Sequence, residues 1–153
     1  MKQFNILNIE PASAKLPAIN FNGSTGELTI SGRSIPENAS KVFEPVLTWI
    51  NEYVKNPRPE TNLKLNIEYF NTATSLWLAK IVYSLSTISK QDYVLFIHIY
   101  FSIDDFDEMD YEDIKDELAP FIAVVANATV SVGFKIYGTD EKGGILKENM
   151  VFL

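Results

Sequence analysis

The sequence predicts an α/β fold, a single mixed sheet with helices packed against one face. Three observations carry that prediction. Stretches with the period-two or uniformly apolar pattern of strands alternate with stretches of three-four apolar spacing, in the order β-β-α-β-α-β-α before a β-rich tail. One stretch, "YVLFIHIYF" (Tyr93 to Phe101), is apolar on both sides, as a central strand is. The helical stretches are too few to cover both faces of a sheet. The second face is therefore wet, covered by the tail, or offered to a partner.

The elements follow in order. Pro17 to Asn22 ("PAINFN") and Glu27 to Ser31 ("ELTIS") flank "GSTG" and read as a hairpin. In "GRSIPENAS", Ser34 and Glu37 have the S-x-x-E spacing of a capping box, and Pro36 falls in the first turn, where its missing N–H costs nothing. Apolar residues at Ala39, Val42/Phe43, Val46/Leu47, Ile50 and Tyr53/Val54 then predict an amphipathic helix, ended by "KNPRPE". Leu63, Leu65, Ile67 and Tyr69 alternate with Lys64, Asn66 and Glu68, so the strand from Leu63 to Phe70 has one buried and one polar face. After "NTATS", Leu78, Ile81/Val82, Leu85 and Ile88 predict a second amphipathic helix.

In the central strand Val94, Phe96, His98 and Tyr100 share one side, and Leu95, Ile97 and Ile99 the other. An acidic loop and a short helix around Tyr111 to Leu118 come next. The tail alternates in "TVSVGFKIYG" (Thr129 to Gly138) and continues after Gly143-Gly144 with "ILKENMVFL", a further hairpin and the first candidate to cover the second face. Strand-helix-strand connections are expected to be right-handed crossovers. With no internal repeat and no low-complexity linker, the chain reads as one domain, 1–153.

Composition narrows the function. The chain has 153 residues, 46% of them hydrophobic, enough for one core that buries roughly two-thirds of the unfolded surface. It contains no cysteine, which excludes disulfides, thiolate metal sites and Cys nucleophiles together. Net charge is −7 and the only arginines are Arg33 and Arg58. Without clustered Lys/Arg to displace phosphate counterions, neither nucleic acid nor an anionic membrane is expected as a partner. "MKQFNILNIEPAS" has too short an apolar run for a secretory signal, and no run approaches the ~20 residues that span a bilayer, so the protein is expected to be cytoplasmic.

Few residues are candidates for chemistry. The one histidine, His98, sits in the most apolar strand without partners for a metal site or a relay, and is expected to be packed with its nitrogens satisfied. No phosphate-loop, dinucleotide-binding, nucleophile-elbow or zinc-protease pattern occurs, so no enzyme, cofactor or metal is expected. Nine of the twenty acidic residues fall between Asp104 and Glu117, without the glycine or ligand offsets of a Ca²⁺ loop. They form either a solvated face or an acidic docking surface for a basic partner.

The cluster "NTATS" (Asn71 to Ser75) stands between a strand and a helix. Asn, Thr and Ser cap helix starts, which accounts for the cluster without any function. A helix start also combines free N–H groups with the positive end of the macrodipole. A phosphate on Thr72 would be tolerated there, adding about −1.5 to −2 charges.

Two segments, "GRSIPENASKVFEPVLTWINEY" (Gly32 to Tyr53) and "LNIEYFNTATS" (Leu65 to Ser75), resemble the SiaC family of bacterial regulatory phosphoproteins. The resemblance covers roughly Leu16 to Val125 and leaves 126–153 as a C-terminal extension. It implies a STAS-like scaffold of the anti-sigma-factor-antagonist kind. It also implies a switch: a partner kinase phosphorylates a Thr at the strand-to-helix junction, and a PP2C-type phosphatase removes the phosphate. In the best-known systems the unphosphorylated protein activates a diguanylate cyclase, which links the switch to cyclic-di-GMP.

Carried over by position, the acceptor is Thr72, with Asn71, Thr74 and Ser75 as junction residues. Arg33, Ser34, Pro36, Glu37 and Asn38 are the implied interaction surface. Ala73 and Thr74 stand where the family carries two serines, and Thr74 or Ser75 is an alternative acceptor. Two other functions use the same scaffold: a phosphorylation-independent interaction module, and a small-molecule or anion-binding domain.

Overall fold

The computed structural model describes residues 6–152; residues 1–5 of the N-terminal stretch and Leu153 of the tail lie outside the described residues. Among the described residues, seven strands form one sheet in which spatial order equals chain order. β1 (Ile6–Ile9), β2 (Pro17–Asn22) and β3 (Glu27–Ser34) make an antiparallel meander. Gly26 ends the turn into β3 at φ 77°, where a Cβ would run into the carbonyl oxygen of Glu60. β3, β4 (Glu60–Phe70), β5 (Val94–Ser102) and β6 (Ser131–Thr139) are mutually parallel. β7 (Ile145–Phe152) returns antiparallel to β6.

The parallel strands need crossovers. α1 (Ala39–Tyr53), α2 (Thr72–Ser86), and α3 (Ile103–Glu108) with α4 (Tyr111–Val125) supply them. Each crossover steps to the next strand in the same direction, so right-handed connections place the helices on one face. α2 accordingly packs between α1 and α4. Phe21, Ile30, Leu63, Ile97 and Phe134 of the sheet are sealed against Phe43, Ile50, Ile81 and Leu85 of the helices. Burying one such side chain stabilises the fold by about 1.5–3 kcal/mol.

Several expectations are corrected. β1, a four-residue edge strand, has no counterpart in the sequence reading. The residue capping α1 is Asn38, whose side chain accepts from Lys41 N–H. Ser34 is still in β3, paired with Phe70, so the Ser34/Glu37 capping box does not form and Pro36 precedes the helix. The acidic stretch expected as a loop before Tyr111 is largely the helix α3, while the helix expected around Tyr111 to Leu118 is present as α4. Ser102 caps α3, and Asp110 caps α4 in a reciprocal box with Asp113. Asp104 and Asp105 in the first turn of α3, and Glu112 and Asp113 in that of α4, complement the helix dipoles.

The tail hairpin does not cover the second face. β6 pairs with β5 and β7 with β6, so the hairpin widens the sheet at its edge. On the bare face, side chains of β4, β5 and β6 shield one another. His98 is only 5% exposed there, bonded from Nε2 to Asn62 Oδ1 (2.7 Å) and from Nδ1 to the Tyr137 hydroxyl (2.8 Å). Burial, helped by the Lys135 and Lys64 charges and opposed by Glu60, lowers its pKa from 6.5 to about 4. The neutral ring donates from Nε2 to the amide oxygen and accepts at Nδ1 from the phenol. Burial first, then Tyr100 and Glu148, pushes that Tyr137 phenol up to about 12, so it keeps its proton. Tyr137 stacks between His98 and Tyr100, at 5.7 and 4.7 Å between ring centres.

Candidate functional site

The junction between β4 and α2 is built by one loop from each side. β4 follows β3 with a register shift at Gly32/Arg33: Gly32 pairs with Ile67, and Arg33 with Tyr69. The shift breaks the predicted alternation. Tyr69, read from the sequence as inward, is 58% exposed, beside Phe70 at 49%. Gly32 itself sits at φ 92°, a conformation that favours glycine.

Asn71 then turns the chain. It is the N-cap of α2, with its Oδ1 accepting from Thr74 N–H at 2.9 Å. Its backbone N–H donates to Ser34 O at 3.1 Å and its Nδ2 to Pro36 O at 3.2 Å. One asparagine thus fixes the helix start to the "SIP" segment. Thr74 and Ser34 are both fully buried beneath it. The Thr74 hydroxyl donates to Ser34 O at 2.9 Å, and the two hydroxyl oxygens are 2.9 Å apart. A hydroxyl has one proton, so with Thr74 committed to the carbonyl, Ser34 Oγ–H donates to Thr74 Oγ1. Both are satisfied, and Thr74 is sealed from any phosphate donor.

Thr72 is the opposite case. It occupies the first helical position and is exposed. A helix start leaves four amides without helical partners. Here Asn71 N–H and Thr74 N–H are taken, while those of Thr72 and Ala73 have no partner among the described residues. The first turn of α2 carries no acidic side chain. The local field and donors therefore favour negative charge at this position. Ser75, half-buried, gives its N–H to Asn71 O at 3.1 Å.

The other predicted residues divide. Ser34 and Pro36 belong to the junction. Arg33 lies on the adjoining strand, its guanidinium 5.1 Å over the Tyr69 ring and its Nε 3.8 Å from Glu68. That ion pair is solvent-exposed and contributes little to stability. Glu37 faces Lys15 at 3.9 Å, and Asn38 serves the start of α1.

The residues that sequence reasoning missed are Tyr69, Phe70 and, at 62% exposure, Leu76. Together they surround Thr72 in sequence with apolar surface. A β-bulge leaves no pattern in a single chain, so only the glycine at 32 hinted at it.

The SiaC family model, described as SiaC family regulatory phosphoprotein, matches residues 10–126. The chain belongs to the SiaC family. Among relatives, an uncharacterized protein of Pseudomonas aeruginosa (strain UCBPP-PA14) is 30% identical over 64 residues, 42% of this chain. The match spans about half of that relative's length, 51%. Among solved structures, apo-SiaC of Pseudomonas aeruginosa superposes with a TM-score of 0.61 at 23% identity, over 73% of this chain and 92% of that one. A chain from the complex of the diguanylate cyclase SiaD with its activator SiaC, also from Pseudomonas aeruginosa, gives 0.65 at 19% identity, over 86% and 99%. These likenesses establish a shared fold. Among the described residues no helix is long and apolar enough to cross a membrane.

Proposed function

We propose that this protein is a non-catalytic interaction switch. A partner kinase phosphorylates Thr72, a PP2C-type phosphatase removes the phosphate, and the unphosphorylated form holds an output partner, a diguanylate cyclase. The observation that carries this reading is the exposed Thr72 at the first position of α2, held by the Asn71 cap and free of acidic neighbours in that turn. Membership of a family of regulatory phosphoproteins supports it. So does the Pseudomonas aeruginosa SiaC–SiaD complex, whose SiaC is an activator of a diguanylate cyclase.

The switch is electrostatic. The output partner packs beside Thr72 against Tyr69, Phe70 and the Arg33–Asn38 segment. A dianion placed in that contact must be desolvated, which an apolar interface resists unless a cation meets it. A weakening of a few kcal/mol suffices, because each 1.4 kcal/mol is tenfold in affinity. Thr72→Ala keeps the output partner bound in the presence of the kinase, and Thr72→Asp weakens it.

The test is to incubate the protein with ATP and the proposed cognate kinase from its own organism, then map phosphate by peptide mass spectrometry. Phosphate on Thr72, lost on adding a PP2C-type phosphatase from the same organism, is expected. An unmodified protein favours an interaction module that works without phosphorylation.

A further inference from the structure

β4 and β5 are paired only from Glu60↔Val94 to Leu65↔Ile99. Beyond that point β4 bends with β3 as far as Ser34↔Phe70, while β5 stays with β6 to Ser102↔Thr139. Two neighbouring parallel strands therefore part at their C-terminal ends. A cleft of about 380 Å³ opens between them, lined on the apolar side by Ile67, Leu78, Ile99 and Phe121. Glu68, Asp105 and Glu117 also line it. Tyr69 and Phe70 stand at its β4 wall, both about half exposed.

Two features define what fits. The separated strands leave facing backbone edges, and a strand edge beside apolar pockets accepts an extended segment. The lining charges are all of one sign. Glu68 shares its charge with Arg33 across 3.8 Å, whereas Asp105 and Glu117 sit on helices whose neighbouring side chains include Asp104, Asp113 and Asp116. An occupant that seats an apolar side chain here must bring cations to the rim. The larger groove between α1 and α2, about 480 Å³ and lined by Leu47, Val54 and Tyr83, has only Lys80 as a charged lining residue and makes no such demand.

We propose that the parted ends of β4 and β5 form a docking cleft for an extended segment of a partner protein, one large apolar side chain flanked by Lys or Arg. This cleft adjoins the output contact proposed at Thr72 and shares its Tyr69 and Phe70 wall, but its acidic rim of Asp105 and Glu117 lies outside that contact. A phosphate on Thr72 adds to the negative charge that a basic segment meets, so phosphorylation leaves this docking unchanged or strengthens it. The same modification weakens the output contact. The two surfaces thus respond to one switch with different signs.

The experiment pans a phage-displayed library of random dodecapeptides on the full-length protein and measures selected synthetic peptides by fluorescence anisotropy. Enriched sequences carry an apolar residue between basic ones. Their affinity falls at least tenfold in the Asp105→Lys/Glu117→Lys double variant, both positions being exposed, and stays within threefold in a Glu141→Lys control. Thr72→Asp leaves affinity equal or higher, and amide shifts in nitrogen-15 spectra concentrate at 67–70 and 99–102. The proposal is overturned by an unenriched library, by peptides lacking basic residues, by affinity indifferent to the double variant, or by shifts that map to the α1–α2 groove. Because the panning uses unphosphorylated protein, it succeeds or fails independently of kinase action on Thr72.

Discussion

Two polar clusters lie on opposite faces of the sheet, and they differ in where they end. On the bare face, Asn62, His98 and Tyr137 close on themselves, with both imidazole nitrogens bonded. On the helix face, Ser34, Asn71 and Thr74 are equally well satisfied, yet their network fixes the backbone of an exposed neighbour, Thr72. A closed polar cluster specifies one arrangement of a core. A cluster that locks the backbone around an open hydroxyl also presents that hydroxyl. Under the proposed function, the first cluster is scaffold and the second presents the acceptor.

The sharpest way to break this division is pH. His98 has a folded pKa of about 4 against an ordinary 6.5, so folding favours the neutral ring. Its contribution is complete above pH 6.5 and is lost as pH falls from 6.5 through 4. Urea denaturation at about pH 7 and about pH 4 should show His98→Gln losing less stability than the wild type over that interval, by at most about 3 kcal/mol. The pH dependence of peptide or partner binding should be unaltered by the same substitution. An altered one would put the bare-face cluster in the function.

Thr74→Val comes next. It keeps the shape but strands Ser34 Oγ in the core, and denaturation should report a loss of about 2 kcal/mol. Asn71→Ala removes the cap and the tie to Pro36, a loss of about 1 kcal/mol, and should also slow phosphorylation of Thr72 because its backbone is no longer held. Thr72→Ala is smallest for stability, within about 0.5 kcal/mol, since the cap is Asn71 and Thr72 is exposed. It nevertheless abolishes labelling by the kinase. Equal labelling of Thr72→Ala and wild type would move the acceptor elsewhere.

The sequence made much of this molecule legible through periodicity. The three-four spacing from Ala39 to Val54 and from Leu78 to Ile88 marks α1 and α2, and the unbroken apolar run marks β5 as central. Tertiary choices were less visible. Ser34 carries a capping pattern, but strand pairing with Phe70 and the bond to Thr74 hold it in β3, and Asn38 caps instead. Tyr69 fits the alternation that the bulge then breaks. The acids after Ser102 suggest a loop by charge alone, yet acids at first turns stabilise the helices they begin.

The junction was legible as a polar cluster between strand and helix, and its cap is the kind of residue expected there. Which threonine faces outward was not, because Thr72 and Thr74 have identical chemistry. Only the phase of the helix against Ser34 distinguishes them.

The most direct measurement compares two preparations of one protein. The unphosphorylated form and the form fully phosphorylated on Thr72 are titrated calorimetrically with the diguanylate cyclase encoded in the same organism. The account predicts that the phosphorylated form binds at least tenfold more weakly, while its urea midpoint stays unchanged. Equal affinity of the two forms would contradict it.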